Sequence, residues 1–265
     1  MKTSSLTNLL TPLFFCLLAA SLAEAAPTAE EIVGKANLAA YYAGNDGSAQ
    51  VTMTITDEQG RTRNREFSIL RRDVADGGAQ TFYVYFRKPA DVRKMVFMVH
   101  KHIGRDDDRW LYLPALDLVK RIASSDKRTS FVGSHFLYED VSGRSPEDDR
   151  HEVLDTSGPV YQLKHTPKDP KTVEFSYYTT RIDKTTFLPI KIEYFDRQGK
   201  KYRVVEALEV KSIGGYPTVV KSRVQDLAGG GETVSVFEDV RYDLGLSADI
   251  FTERYLRTPP KEVRR

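Results

Sequence analysis

Cysteine is nearly absent: the 265 residues contain one, Cys16. It sits in an apolar N-terminal run, so everything beyond that run is thiol-free. Disulfides, thiolate catalysis and cysteine-ligated metals are thereby excluded, and the folded part must be stabilised by its core. Charge of one sign is missing too. Lys+Arg number 39 and Asp+Glu 37, for a net of +2, a mixed surface lacking the concentrated basic face that nucleic acid requires. No run approaches the ~20 apolar residues of a membrane span.

The usual signatures of catalysis are missing as well. Gly133-Ser134-His135 lacks the second glycine of a nucleophile elbow. Gly229-Gly230-Gly231 precedes a strand pattern, not a helix, and so forms no phosphate cradle. His100-Lys101-His102 with Asp106-Asp107-Asp108 offers two good ligand types but falls short of a metal set. His135, His151 and His165 stand alone, and the adjacent acids Glu139-Asp140 and Asp148-Asp149 diverge on extended chain. The reading is a non-enzyme with no cofactor and no metal.

At the N-terminus Lys2, the apolar Leu9–Ala20 run and Ala23-Glu24-Ala25 have the order of a secretory signal peptide cut after Ala25. Phe14 and Phe15 before Cys16 do not suit lipid attachment there. Residues 1–25 are read as a cleaved leader, residues 26–265 as a single domain, and the destination as the periplasm. Thr28-Ala29-Glu30-Glu31 is a capping box opening a helix whose apolar stripe includes Ile32, Val33 and Ala36.

From Ser48 the period changes to two. Val51, Met53 and Ile55 alternate with threonines, Asp57-Glu58-Gln59-Gly60 turns the chain, and Arg61–Arg72 returns. Asp196-Arg197-Gln198-Gly199 repeats that grammar. Further strands are predicted at 81–87, 94–102, 109–113, 118–122, 160–165, 172–180, 219–227 and 232–240, eleven or twelve in all. Crossover helices are missing, which makes the sheet antiparallel. Lys88–Lys94 is read as a short helical turn, and polar Ala123–Val132 as an irregular loop suited to a lid or contact surface. Several strands are apolar on both faces: Phe82, Val84 and Phe86 lie opposite Tyr83 and Tyr85. Both faces need cover, and pattern alone leaves open whether the curled sheet is filled or hollow.

The stretch Asp108-Arg109-Trp110-Leu111-Tyr112-Leu113-Pro114-Ala115-Leu116 continues through Val119-Lys120-Arg121-Ile122 and Phe131-Val132-Gly133-Ser134 to Phe136-Leu137-Tyr138-Glu139-Asp140. It resembles the signature of the LolA-like outer membrane lipoprotein-sorting family. Lys88-Pro89, Thr186-Phe187-Leu188-Pro189 and the Asp249–Leu256 end match as well. The resemblance implies a mainly β fold: an unclosed antiparallel barrel of about eleven strands, with helices over its concave face. It implies a periplasmic carrier holding a lipid, lipoprotein or other amphipathic ligand in a hydrophobic cavity. It also implies a link to inner-membrane exporters of the resistance-nodulation-division type, for which the alternative role is a non-catalytic adaptor acting through the 123–132 loop. Candidate cavity residues are Met53, Ile55, Phe82, Val84, Phe86, Phe97, Trp110, Tyr112, Phe131, Phe136 and Tyr138. Arg121 and Asp140 are expected to form an ion pair.

Overall fold

The computed structural model describes residues 26–75 and 77–264; the expected leader, residues 1–25, lies outside them. Helix α1 (Ala29–Tyr41) opens with the expected box. The Glu31 amide donates to Thr28 Oγ1 at 3.2 Å, and the Thr28 amide donates to Glu31 Oε2 at 2.8 Å.

Two antiparallel meanders follow. The first comprises β1 (Asp46–Thr56), β2 (Thr62–Asp73), β3 (Gln80–Lys88), β4 (Val96–Lys101), β5 (Asp108–Leu113) and β6 (Leu118–Arg121). The second comprises β7 (Asp149–Asp155), β8 (Val160–Pro167), β9 (Tyr177–Asp183), β10 (Pro189–Phe195), β11 (Lys201–Ile213), β12 (Tyr216–Asp226) and β13 (Glu232–Tyr242). The expected turns form, with Gly60 at φ +78°. The Asp57 and Asp196 carboxylates accept amides of their own turns in matching fashion.

Pairing of β1 with β13 joins the meanders into one sheet of order β6-β5-β4-β3-β2-β1-β13-β12-β11-β10-β9-β8-β7. Its ends, β6 and β7, do not pair, so the barrel stays unclosed. The sheet thus has thirteen strands where eleven or twelve were expected. The addition is β7, a polar edge strand whose alternation carries Asp149, His151 and Val153 on one side. The strand predicted at 172–180 begins only at Tyr177; Val173 and Phe175 precede it as buried loop residues.

This topology dictates the cover. β6 and β7 are consecutive in the chain but at opposite edges, so residues 122–148 must travel across one face. They cross the concave side, carrying the short helix α2 (Tyr138–Ser142). There Phe131 packs with Phe67, Phe86, Phe97 and Tyr138, ring centroids 5.4–6.3 Å apart. The expected free loop 123–132 is therefore partly a plug: Phe131 is 2% exposed. Helix α1 lies over the β7–β9 end, where Ile32 and Ala36 meet Leu163 and Ile182.

The convex face is covered by the chain's end. Ile250, Phe251, Leu256 and Val263 close over Leu70, Tyr83, Val96, Met98 and Trp110, with helix α3 (Arg254–Arg257) among them. Tyr83 Oη donates to the Tyr255 carbonyl at 2.6 Å and Ser68 Oγ to that of Val263 at 3.2 Å. That second cover explains why β3 and β4 are apolar on both sides.

Candidate functional site

A cavity on the concave face follows from one cross-strand row of small side chains. Met53 pairs with Ser235, Ser235 with Ser222, and Ser222 with Ala207. Residues directly opposite share a face, so this row crosses β1, β13, β12 and β11 with little volume after Met53. Gly47, Ser48 and Ala49 extend the shallow floor along β1. Above it stand Ala39, Ala40 and Tyr41 from α1 and Val141 from α2. The space between measures about 350 Å³, within the ~300–1,000 Å³ of small-molecule sites. Its walls are mostly apolar: Phe67, Ile69, Phe237, Leu188, Ile192 and Val205 contribute.

Five expected wall residues line this space: Met53, Phe82, Val84, Phe131 and Phe136. Ile55, Phe86, Phe97 and Tyr138 share the concave face but are spent in solid packing beside it. Trp110 and Tyr112 require correction. Met98 pairs with Trp110 and Val96 with Tyr112, which places both rings on the convex face, where Trp110 packs under the C-terminal segment. The alternation within β5 was readable; which side faced the cavity depended on register with β4. Residues missed in the sequence include Ala39, Ala40, Ala207 and Ser235. A search for greasy side chains passes over the small ones that create room.

The covering elements are tied down by polar groups. Arg71, inward on β2, donates to the carbonyls of Tyr41 and Ala43 at 2.5 Å and of Gly44 at 2.7 Å. A cation there meets the negative end of the α1 dipole. Gln80 Nε2 adds a bond to the Tyr41 carbonyl at 2.7 Å. Gly143, which ends α2 at φ +76°, is required by the same junction: a Cβ there would stand 2.5 Å from the Tyr41 ring. Burial, then the Asp140 charge, pushes the Tyr41 hydroxyl well above its ordinary range.

The crossing segment is held by buried ion pairs. Arg128 meets Glu139 at 2.5 Å and Glu174 at 2.7 Å, while Arg144 meets Asp149 at 2.8 Å. Both guanidiniums lie against the Phe175 ring, 4.8 and 5.4 Å from its centroid. Burial alone would lower the pKa of Arg128; its bonds to Glu174 and the charges around it outweigh that and hold it charged. Asp140 pairs with Arg203, not with Arg121 as expected. Arg121, at the β6 edge, pairs with Asp108 on the neighbouring strand β5.

The histidines find other work than metal binding. His102 Nε2 lies 2.9 Å from Asp108 Oδ2, and His100 Nε2 lies 2.7 Å from the Phe251 carbonyl on the convex side. Among the described residues no group of three or more His, Cys, Asp or Glu side chains is arranged to hold a metal ion. No helix among them is long and apolar enough to cross a membrane.

Comparison with known proteins agrees with this architecture. No curated protein matches the chain. A family model described as an uncharacterized protein matches residues 78–258, which reach from β3 to the end of α3. A DUF1329 family protein from Desulfovibrio piger is 27% identical, with a TM-score of 0.79 over 86% of this chain and 97% of its own. A domain from Vibrio parahaemolyticus, described as outer membrane lipoprotein-sorting, is 28% identical, with a TM-score of 0.78 over 86% and 98%. A LolA superfamily protein from Nitrosomonas europaea shares the fold, with a TM-score of 0.67 and 19% identity over 87% and 100%. With its unclosed sheet, crossing segment and concave cavity, the chain belongs to the family which that model describes, and it has the LolA-like fold of its outer membrane lipoprotein-sorting neighbours.

Proposed function

We infer that the protein is a periplasmic carrier that holds a lipid, a lipoprotein's acyl chains or another amphipathic ligand in the concave cavity and passes it between envelope components. The observation that carries this reading is the 350 Å³ apolar space beneath α1 and α2. The driving force is hydrophobic: each 100 Å² of apolar ligand surface withdrawn from water gains about 2.5 kcal/mol, less the cost of ordering ligand and lid. Release then requires a partner that lifts α1 from its Arg71 and Gln80 bonds. The adaptor role assigned the 123–132 loop as a contact; that segment is anchored in the fold at Arg128 and Phe131, while Ala123, Ser125, Asp126, Thr129 and Ser130 are exposed.

Native mass spectrometry of protein purified without detergent tests the reading. Lipid-sized adducts are expected, and a positive thermal shift with added lipid. Protein that emerges bare and whose melting is indifferent to every lipid offered would rule the carrier out.

A further inference from the structure

Ser235 is 2% exposed and lines the cavity, yet its Oγ is buried with no hydrogen-bond partner among the described residues. Ser222 is directly opposite it across β12 and β13, where paired hydroxyls commonly bond one another. Here neither Ser222 nor any other described group reaches the Ser235 hydroxyl. Several other polar groups at the cavity are already engaged. Arg71 is bonded to helix carbonyls, Asp140 to Arg203 and the Leu137 amide, and Thr218 to the Tyr216 carbonyl and the Tyr242 hydroxyl. Glu206 is held by Arg223 and Lys191. Among the described residues that line the cavity, Ser235 is the one with a buried side-chain polar atom left unpartnered. An alanine would fill the position with no unsatisfied group, as Ala207 does in the same row. A buried hydroxyl is costly to leave unmatched.

We propose that Ser235 is a specificity-determining residue, which hydrogen-bonds a hydroxyl or carbonyl set partway along the ligand's apolar body. This rests on the carrier reading and narrows it: the preferred guest is not a plain saturated chain. Ser235 can donate or accept, so it suits an alcohol, ester or ketone alike. One hydrogen bond made inside the cavity favours such a guest by roughly five- to tenfold.

The test uses delipidated full-length protein carrying the fluorescent probe N-phenyl-1-naphthylamine, displaced by stearic acid or by positional isomers of hydroxystearic acid. At least one isomer is expected to displace the probe at roughly five- to tenfold lower concentration than stearic acid. In Ser235→Ala that advantage disappears: the isomer and stearic acid displace the probe at the same concentration. No preferred isomer in the wild type, or a preference that survives Ser235→Ala, overturns the role of Ser235 and leaves the carrier intact. Failure of every lipid to displace the probe overturns both. Melting of the ligand-free variant supplies a second readout: Ser235→Ala should melt at the same temperature or higher. A marked drop would mean that the hydroxyl is bonded within the protein, and would overturn the proposal.

Discussion

The concave face is built in two ways along one sheet. Around β2–β4 the inward positions carry Phe67, Phe86, Phe97 and Val99, and Phe131 descends from the crossing segment to close the gap. Around β11–β13 the same alternation delivers Ala207, Ser222 and Ser235, and nothing descends. Backbone pattern, register and curvature are shared; only side-chain volume differs. A plug and a cavity are therefore two fillings of one architecture, decided by a handful of inward residues.

The plug is the place for the largest effect. Phe131→Ala deletes a fully enclosed ring and should cost about 3–5 kcal/mol, read from the denaturant midpoint. A cost near zero would mean that this end is as loose as the other. Enlargement discriminates more finely. Val99→Phe adds volume where none is free and should cost about 1–3 kcal/mol. Ala207→Phe should stay within about 1 kcal/mol of the wild type, because the cavity accepts the ring, and should abolish lipid binding in the displacement assay. Equal penalties for these two substitutions would erase the contrast.

The smallest effect concerns acid. The plug is held by uncharged rings, whereas the edge where the crossing segment arrives carries a histidine pair. His151 Nε2 lies 2.9 Å from the Pro146 carbonyl and must donate to it, so its Nδ1 accepts from His165 Nδ1 at 2.8 Å. His165 Nε2 then accepts from the Thr180 hydroxyl at 2.8 Å. Burial, with His151 beside it, pulls His165 from 6.5 down to about 3. The unfolded chain takes up this proton below pH 6.5 and the folded chain does not. Its contribution is thus complete above pH 6.5 and is lost as pH falls toward 3, by at most roughly 1.4 kcal/mol per pH unit. His165→Gln should flatten the stability profile between pH 6.5 and 4 relative to Phe131→Ala, which should shift the profile without changing its slope. Parallel slopes in the two variants would remove His165 as the acid-sensitive point.

Much of this organisation was legible in the residues. Strict alternation in Val51-Thr52-Met53-Thr54-Ile55, the two Asp-x-x-Gly turns and the Thr28 box each lead to the observed element, because each is a local preference that the fold does not override. Non-local relations were not legible. β7 went unread because Asp149 and His151 spend their inward positions on Arg144 and His165 instead of an apolar floor. Trp110 was misplaced because a two-sided apolar strand does not announce which side is concave. Arg121 and Asp140 were paired by chemistry alone, and the path of residues 122–148 separates them. The cavity was expected, but its place on the sheet escaped notice because the room is made of what is missing from Ala207, Ser222 and Ser235.

The seam between β1 and β13 has a consequence for how the molecule is made. β1, deep inside the finished sheet, finds its second neighbour only when the last strand of the chain has emerged. Until then the early meander presents an open edge with Val51, Met53 and Ile55 unshielded, an invitation to foreign strands. Pairings of such long sequence span form slowly. A nascent chain of this design spends its most vulnerable interval waiting for its own tail, and a truncation before Glu232 should yield aggregate rather than a smaller barrel.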